Sequence, residues 1–235
     1  MINQLNHILK QKANPEKAQQ LQRFFKTKPG QYGEGDIFLG ITVPEQRKLV
    51  KQFNNLEPKD VQQLLNSKIH EKRLIALLIL IQHYNQADNE KKQKIVNFYL
   101  NNTNNINNWD LVDLSAPNIL GDYLNDKPKD ILYKLAKSEN LWEKRIAIIS
   151  TLTFIRNNQF QDTLKISKIL LNDTHDLIHK AVGWMLRELG KRDQQLLEKF
   201  LKQNYSKLPR TTLRYAIERF EENKRKKFLK GNFKN

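Results

Sequence analysis

The chain holds 235 residues, 41 of them Lys or Arg against 25 Asp or Glu, for a formal net charge of +16. That surplus points to a polyanionic partner, nucleic acid before an anionic membrane surface. The chain has no cysteine, which excludes disulfides, thiolate catalysis and cysteine-based zinc or iron–sulfur sites.

The opening MINQLNHILKQK has no apolar core of signal-peptide type, and the longest apolar run, LIALLILI at 74–81, is too short to span a bilayer. A soluble, intracellular, cytoplasmic and nucleoid-associated protein with no membrane partner is expected. Apolar residues make up 39%, enough for a core, while the 8 glycines and 7 prolines are too few for a turn-rich β sandwich.

Apolar residues then recur at helical spacing along the chain. The pattern predicts helices over 15–27, 44–54, 57–66, 70–86, 88–103, 107–125, 128–138, 141–157, 160–172, 176–191, 194–205 and 209–229. Only KPGQYGEGDIFLGITVP, residues 28–44, breaks the series, with half of all the glycines. Its G-x-x-G-x-G spacing lacks the preceding strand, the GK[ST] and the βαβ unit of a nucleotide loop. It reads as a long ordered loop or a short hairpin, docked through Phe38, Leu39 and Ile41.

HEKRLIALLIL at 70–80 and WEKRIAIISTL at 142–152 place E-K-R at one offset, 72 residues apart. Half that distance is the length of a helix pair in a helical solenoid. HKAVGWMLREL at 179–189 and PRTTLRYAIERF at 209–220 extend the series, and NNWDLVDLSAP fills the slot between the first two. Such pairs bury their apolar faces only by stacking. The expected fold is therefore all-α: one domain over 1–235, a curved solenoid or superhelix of antiparallel helix pairs, with the 28–44 loop and a basic C-terminal end over 224–235. Corresponding helix starts would line a basic concave groove, with Arg73, Asp113, Arg145, Lys180 and Arg210 recurring along it and Arg187 joining them as a DNA contact.

Trp109 and Asp113 stand four residues apart, as do Lys180 and Trp184. Two indoles, one carboxylate and two cations could converge. A carboxylate can stabilise an oxocarbenium-like sugar and orient water, while indole faces favour a cation. With no second acid in view, the fitting substrate has a leaving group that is already cationic, such as an N3- or N7-alkylated purine. Plainer readings stand beside this one. The tryptophans could be core, Trp142 as a helix-start staple above all, and Asp110 a first-turn acid favoured by the helix dipole. Asp113 could end in an ion pair with Arg145. His175 and His179 share a helical face, but no third ligand accompanies them, and no metal is expected. KRKKFLKG at 224–231 reads as a solvated helix end.

FFKTKPGQYGEGDIFLGITVPEQRK, NNWDLVDLSAPNILGDYL, LWEKRIAII and HKAVGWMLRELGKR together resemble the HEAT-like-repeat DNA alkylation repair proteins, the AlkD-type alkylpurine DNA glycosylases, over roughly residues 20–225. The resemblance implies HEAT-like repeats around duplex DNA. It implies hydrolysis of the N-glycosidic bond of cationic alkylated purines without metal or cofactor, on a lesion that stays stacked. By motif, Asp113 is the catalytic carboxylate, Trp109 and Trp184 contact the lesion's deoxyribose and cradle its charge, and Arg145 binds nearby backbone. Phe24 stands where a tyrosine is expected, and the glycine-rich loop is long, which points to a sister group. The alternatives are a non-catalytic solenoid reading damaged, bent or branched DNA, and a protein–protein scaffold. A monomer is expected.

Overall fold

The computed structural model describes residues 1–232. The last three residues of the 224–235 basic end, 233–235, lie outside the described residues. Among the described residues the chain is all-helical, its β structure limited to one isolated bridge. It divides into two compact units, Met1–Leu111 and Val112–Asn235.

The first unit holds α1 (Ile2–Gln11), α2 (Pro15–Phe24), α3 (Val43–Gln52), α4 (Pro58–Leu65), α5 (His70–Gln86), α6 (Asn89–Asn101) and the first turn of α7 (Trp109–Ser115). Its core is α5, buried without interruption from Leu74 to Leu80 and packed by α3, α4 and α6. Local chemistry sets the starts. Asn14 accepts the Lys17 amide ahead of Pro15, Asp88 accepts that of Lys91, and Glu45 reaches back to the Thr42 amide. Each satisfies a backbone N–H that a helix start leaves over. α1 was not among the predicted helices. Its apolar residues are Ile2, Leu5, Ile8 and Leu9, set among Asn, Gln and Lys, and of these Leu5 and Leu9 are fully buried.

Up to Thr42 the 28–44 segment is a loop and not a hairpin, and its last two residues, Val43 and Pro44, begin α3. Its one bridge joins Ile37 to Ile69, at the start of α5. Phe38 and Ile41 are buried and Leu39 half-buried, as expected. What orders the loop is Glu71, 1% exposed, whose carboxylate accepts the amides of Leu39, Gly40 and Ile41. Gly40 has φ +81°, and a Cβ there would stand 2.2 Å from Asn14 O, so only glycine fits.

The second unit holds the rest of α7, then α8 (Asp130–Ala136), α9 (Leu141–Arg156), α10 (Gln161–Leu170), α11 (Asp176–Gly190), α12 (Gln194–Asn204), α13 (Arg210–Ala216) and α14 (Glu222–Lys230). α9 is its central helix, flanked by α8, α10 and α11, and α11 packs in turn on α13. The last contact is close: a Cβ on Gly183 would lie 2.5 Å from the Tyr215 Cβ.

Two predicted helices are broken. In 107–125, α7 ends at Ser115 and a π turn runs from Pro117 to Gly121, where the Gly121 amide bonds Ala116 O at 2.8 Å. Proline supplies no amide to continue the regular ladder. In 209–229 the helix stops after Ala216, Phe220 turns into the core, and the Glu221 carboxylate caps α14 by accepting from Asn223 and Lys224.

Candidate functional site

In the first unit, the indole of Trp109 is half-buried and lies flat on Phe25, with centroids 5.2 Å apart and planes at 14°. Phe25 stacks on Phe38 at 4.9 Å, and Phe38 on the His70 ring at 4.6 Å. Phe24 meets the indole edge-on at 5.9 Å and is 64% exposed, an aromatic face left in solvent.

His70 and Asp36 went unmarked in the sequence, because their partners are remote. His70 is 2% exposed; its Nδ1 is 3.0 Å from Asp36 Oδ2 and its Nε2 2.8 Å from Asp110 Oδ2. Burial opposes a charge on the ring, but the hydrogen bonds to Asp110 and Asp36 outweigh it and raise the pKa from 6.5 to about 9. Burial likewise opposes the charge on Asp36, yet His70 and Arg73 hold its carboxyl below the usual range. Asp110 takes the first-turn position expected of it and accepts the Leu111 amide at 2.9 Å.

Arg73 was expected among the DNA contacts. It is instead buried, with Nη2 2.6 Å from Asp36 Oδ1 and Nη1 2.8 Å from Ser67 O. A guanidinium sealed in this way cannot reach a phosphate without breaking the pair, and its place in the fold is structural.

In the second unit, Asp113 and Arg145 meet directly. Arg145 donates from Nε to Asp113 Oδ1 and from Nη2 to Oδ2, both at 2.8 Å, and from Nη1 to Leu177 O at 2.6 Å. Their side chains are 6% exposed for Arg145 and 18% for Asp113, so part of the aspartate side chain meets solvent. Two parallel charge-assisted bonds fix the plane of its carboxylate.

Trp184 is half-buried and lines a cleft of about 590 Å³ with Leu152, Ile155, Arg156, Glu188, Lys191 and Arg192. Three cations beside an indole suit an anion carrying a flat or apolar part. Lys180 pairs with Asp176 at 2.7 Å on the surface, and Arg187 is paired with Glu218. Arg210 donates to Leu229 O at 2.9 Å. Trp142 is buried at the start of α9, its amide on Asn140 Oδ1, the core position foreseen for it.

The two histidines read as a possible metal pair have other partners. His175 Nδ1 accepts the Leu177 amide, and His179 Nε2 lies 2.6 Å from Asp173 O. No cluster of three or more potential ligands exists among the described residues. In the basic run, Lys224 pairs with Glu198, and Arg225 and Lys226 with Glu222. No helix among the described residues is long and apolar enough to cross a membrane.

No curated protein matches the sequence. Among solved structures, the chain is similar to a predicted DNA alkylation repair enzyme from Enterococcus faecalis, with a TM-score of 0.68 and 19% identity, over 89% of this chain and 97% of that one. At that identity the likeness speaks for the fold. Residues 5–220 match the family described as DNA alkylation repair enzyme. With nearly the whole helical chain inside that match, the protein belongs to the DNA alkylation repair enzyme family, and a role in DNA repair follows from the membership.

Proposed function

We propose that this protein is a monofunctional alkylpurine DNA glycosylase acting on cationic N3- or N7-alkylated purines in double-stranded DNA. One observation carries the reading. In a chain of net charge +16, Asp113 is a carboxylate gripped by two bonds from Arg145, and its side chain is still 18% exposed to solvent.

The chemistry needs little more. An alkylated purine already bears the positive charge that makes it leave, so no acid is required to protonate it. As the glycosidic bond lengthens, its electron pair goes to the purine, which becomes neutral, and positive charge grows on the deoxyribose. An ionised, oriented carboxylate stabilises that charge and accepts a hydrogen bond from the attacking water, whose oxygen bonds to the sugar carbon. The water's proton passes to Asp113 or solvent. The indoles of Trp109 and Trp184 each offer a π face to a cationic sugar. Arg145, buried and engaged through all three nitrogens, holds the carboxylate in place. Lys180, Arg187 and Arg210, together with the cations around Trp184, supply phosphate contacts.

The experiment is release of methylated purines from alkylated duplex DNA by wild type and by Asp113→Asn, at equal folded concentration. Release by the wild type with a large loss in the variant supports the reading, and equal rates remove Asp113 from catalysis. A second reading is favoured by the same ion pair. If Arg145 keeps Asp113 for structure alone, the protein binds damaged or bent DNA without chemistry. Salt-dependent binding with no base release would select it.

A further inference from the structure

We propose that His70 is a positioning residue for Trp109: held between Asp36 and Asp110, its ring fixes the start of α7 and completes the aromatic stack on which the indole lies. The inference rests on the reading that Trp109 faces the substrate.

The connections run to both sides of Trp109. On one side, His70 Nε2 bonds the carboxylate of Asp110, the next residue in the chain. On the other, Asn108 accepts the Trp109 amide on its Oδ1 at 2.8 Å and donates from Nδ2 to Asp36 Oδ2 at 3.3 Å. Asp36 is the hub, since it also takes the His70 Nδ1 and an Arg73 nitrogen. The backbone of Trp109 is thus tied on either flank to one buried carboxylate. The ring of Trp109 reaches the same place through Phe25 and Phe38, which stack in series down to the His70 imidazole.

Both partners of the His70 ring are carboxylates, which only accept, so both ring nitrogens donate. The charged groups around it are Asp36 from the loop, Asp110 from α7, and Glu71 and Arg73 on α5 itself; Lys17 of α2 lines a cleft of about 420 Å³ together with His70, Glu71 and Asp110. A purely structural role is a poor account of this arrangement. Apolar residues fill such a space at less cost than buried charges do, and at the matching position of the E-K-R repeat the chain uses buried Trp142. Asp110 as a helix-start acid needs only a backbone amide, which Leu111 supplies. The histidine adds a fixed orientation for the residue between Asn108 and Asp110.

The test uses the full-length protein labelled with 5-fluorotryptophan. Its three indoles, at 109, 142 and 184, give three fluorine signals, and Trp109→Phe assigns the first. His70→Phe and Asp110→Ala are expected to shift or broaden the Trp109 signal and leave the other two in place. Asp110→Asn, which keeps an acceptor for the ring, restores most of it. In the wild type that signal titrates near pH 9, and in His70→Phe it does not.

In single-turnover base release, His70→Phe lowers the rate by about 10–100-fold, the scale of a small misplacement of a reacting group, with DNA affinity nearly unchanged. A Trp109 signal unmoved in Asp110→Ala, or all three signals moving together, would overturn the proposal. Should His70→Phe not fold, the Asp110 variants and the wild-type titration decide it. A wild type that releases no methylated purine removes the glycosylase reading, while the fluorine signals still decide whether His70 positions Trp109.

Discussion

α5 and α9 each carry Glu-Lys-Arg near their start, at 71–73 and 143–145, and in each the arginine holds an aspartate. In the first unit, Arg73 meets Asp36 with both side chains 4% exposed; Arg73 gives Asp36 a single nitrogen, and His70 and Asn108 share the carboxylate. In the second, Arg145 takes Asp113 with two nitrogens, and the Asp113 side chain stays 18% exposed. One motif thus builds a sealed hub in one region and an open carboxylate in the other. The presence of an arginine does not mark a candidate catalytic acid. What separates the two is how much of the aspartate side chain solvent still reaches, 4% for Asp36 and 18% for Asp113.

The comparison is broken most directly by Asp113→Asn. Losing the charge that faces the developing cation is expected to lower base release by about 100-fold or more, with duplex binding nearly unchanged. Rates within about threefold of wild type would put the open pair in the same structural class as the sealed one.

Stability should rank the pairs the other way. Arg73→Met strands Asp36 in the interior and is expected to cost about 3–5 kcal/mol, while Arg145→Met, beside a partly solvated carboxylate, costs about 1–3 kcal/mol. Denaturant unfolding of both variants checks the order, and an equal loss would mean that the partial exposure of Asp113 contributes nothing to the difference.

The hub also carries a pH signature. The pKa of His70 is raised in the folded state, so its stabilisation is complete below about 6.5 and disappears as pH rises through about 9. Wild-type Tm is expected to fall across that interval by more than that of His70→Phe, the difference amounting to about 3 kcal/mol at most. Asp36 has the opposite sign: its carboxyl titrates below the ordinary range, so its share is kept at neutral pH and is lost only in acid.

The smallest effect belongs to Lys180. It is 41% exposed and paired to Asp176, and Lys180→Ala should change stability by less than about 1 kcal/mol. It is expected to lower the salt dependence of duplex binding by about one counterion, read from the slope of affinity against salt.

Much of this was legible in the sequence because it is local. α5 was placed at its true ends, 70–86, by an uninterrupted apolar run between clear boundaries, and the E-K-R repeat pointed to the two arginines. The pairing of Asp113 with Arg145 was one of two readings that the spacing left open. The hub was not legible. Asp36 lies in a glycine-rich connector 34 residues before His70, and Asp110 lies 40 after it, so no periodicity links the three. Arg73 was read as a surface cation because its repeat position was informative and its partner was not. The breaks in α7 and α13 were missed for a related reason. Helical periodicity continues through Pro117 and through Phe220, and only the missing amide in one case and the buried ring in the other show the turn.

The Glu71 carboxylate gives the 28–44 loop an unusual physical status. The amides of Leu39, Gly40 and Ile41 are held by a side chain of α5. These three bonds exist only while the first turn of α5 is formed, so this end of the connector has no melting step independent of that turn. Its three amides should therefore exchange with deuterium at the rate of the α5 core, far more slowly than a surface loop rich in glycine. Glu71→Ala should release them together, so that a stretch without regular structure behaves as part of the most protected helix in its unit.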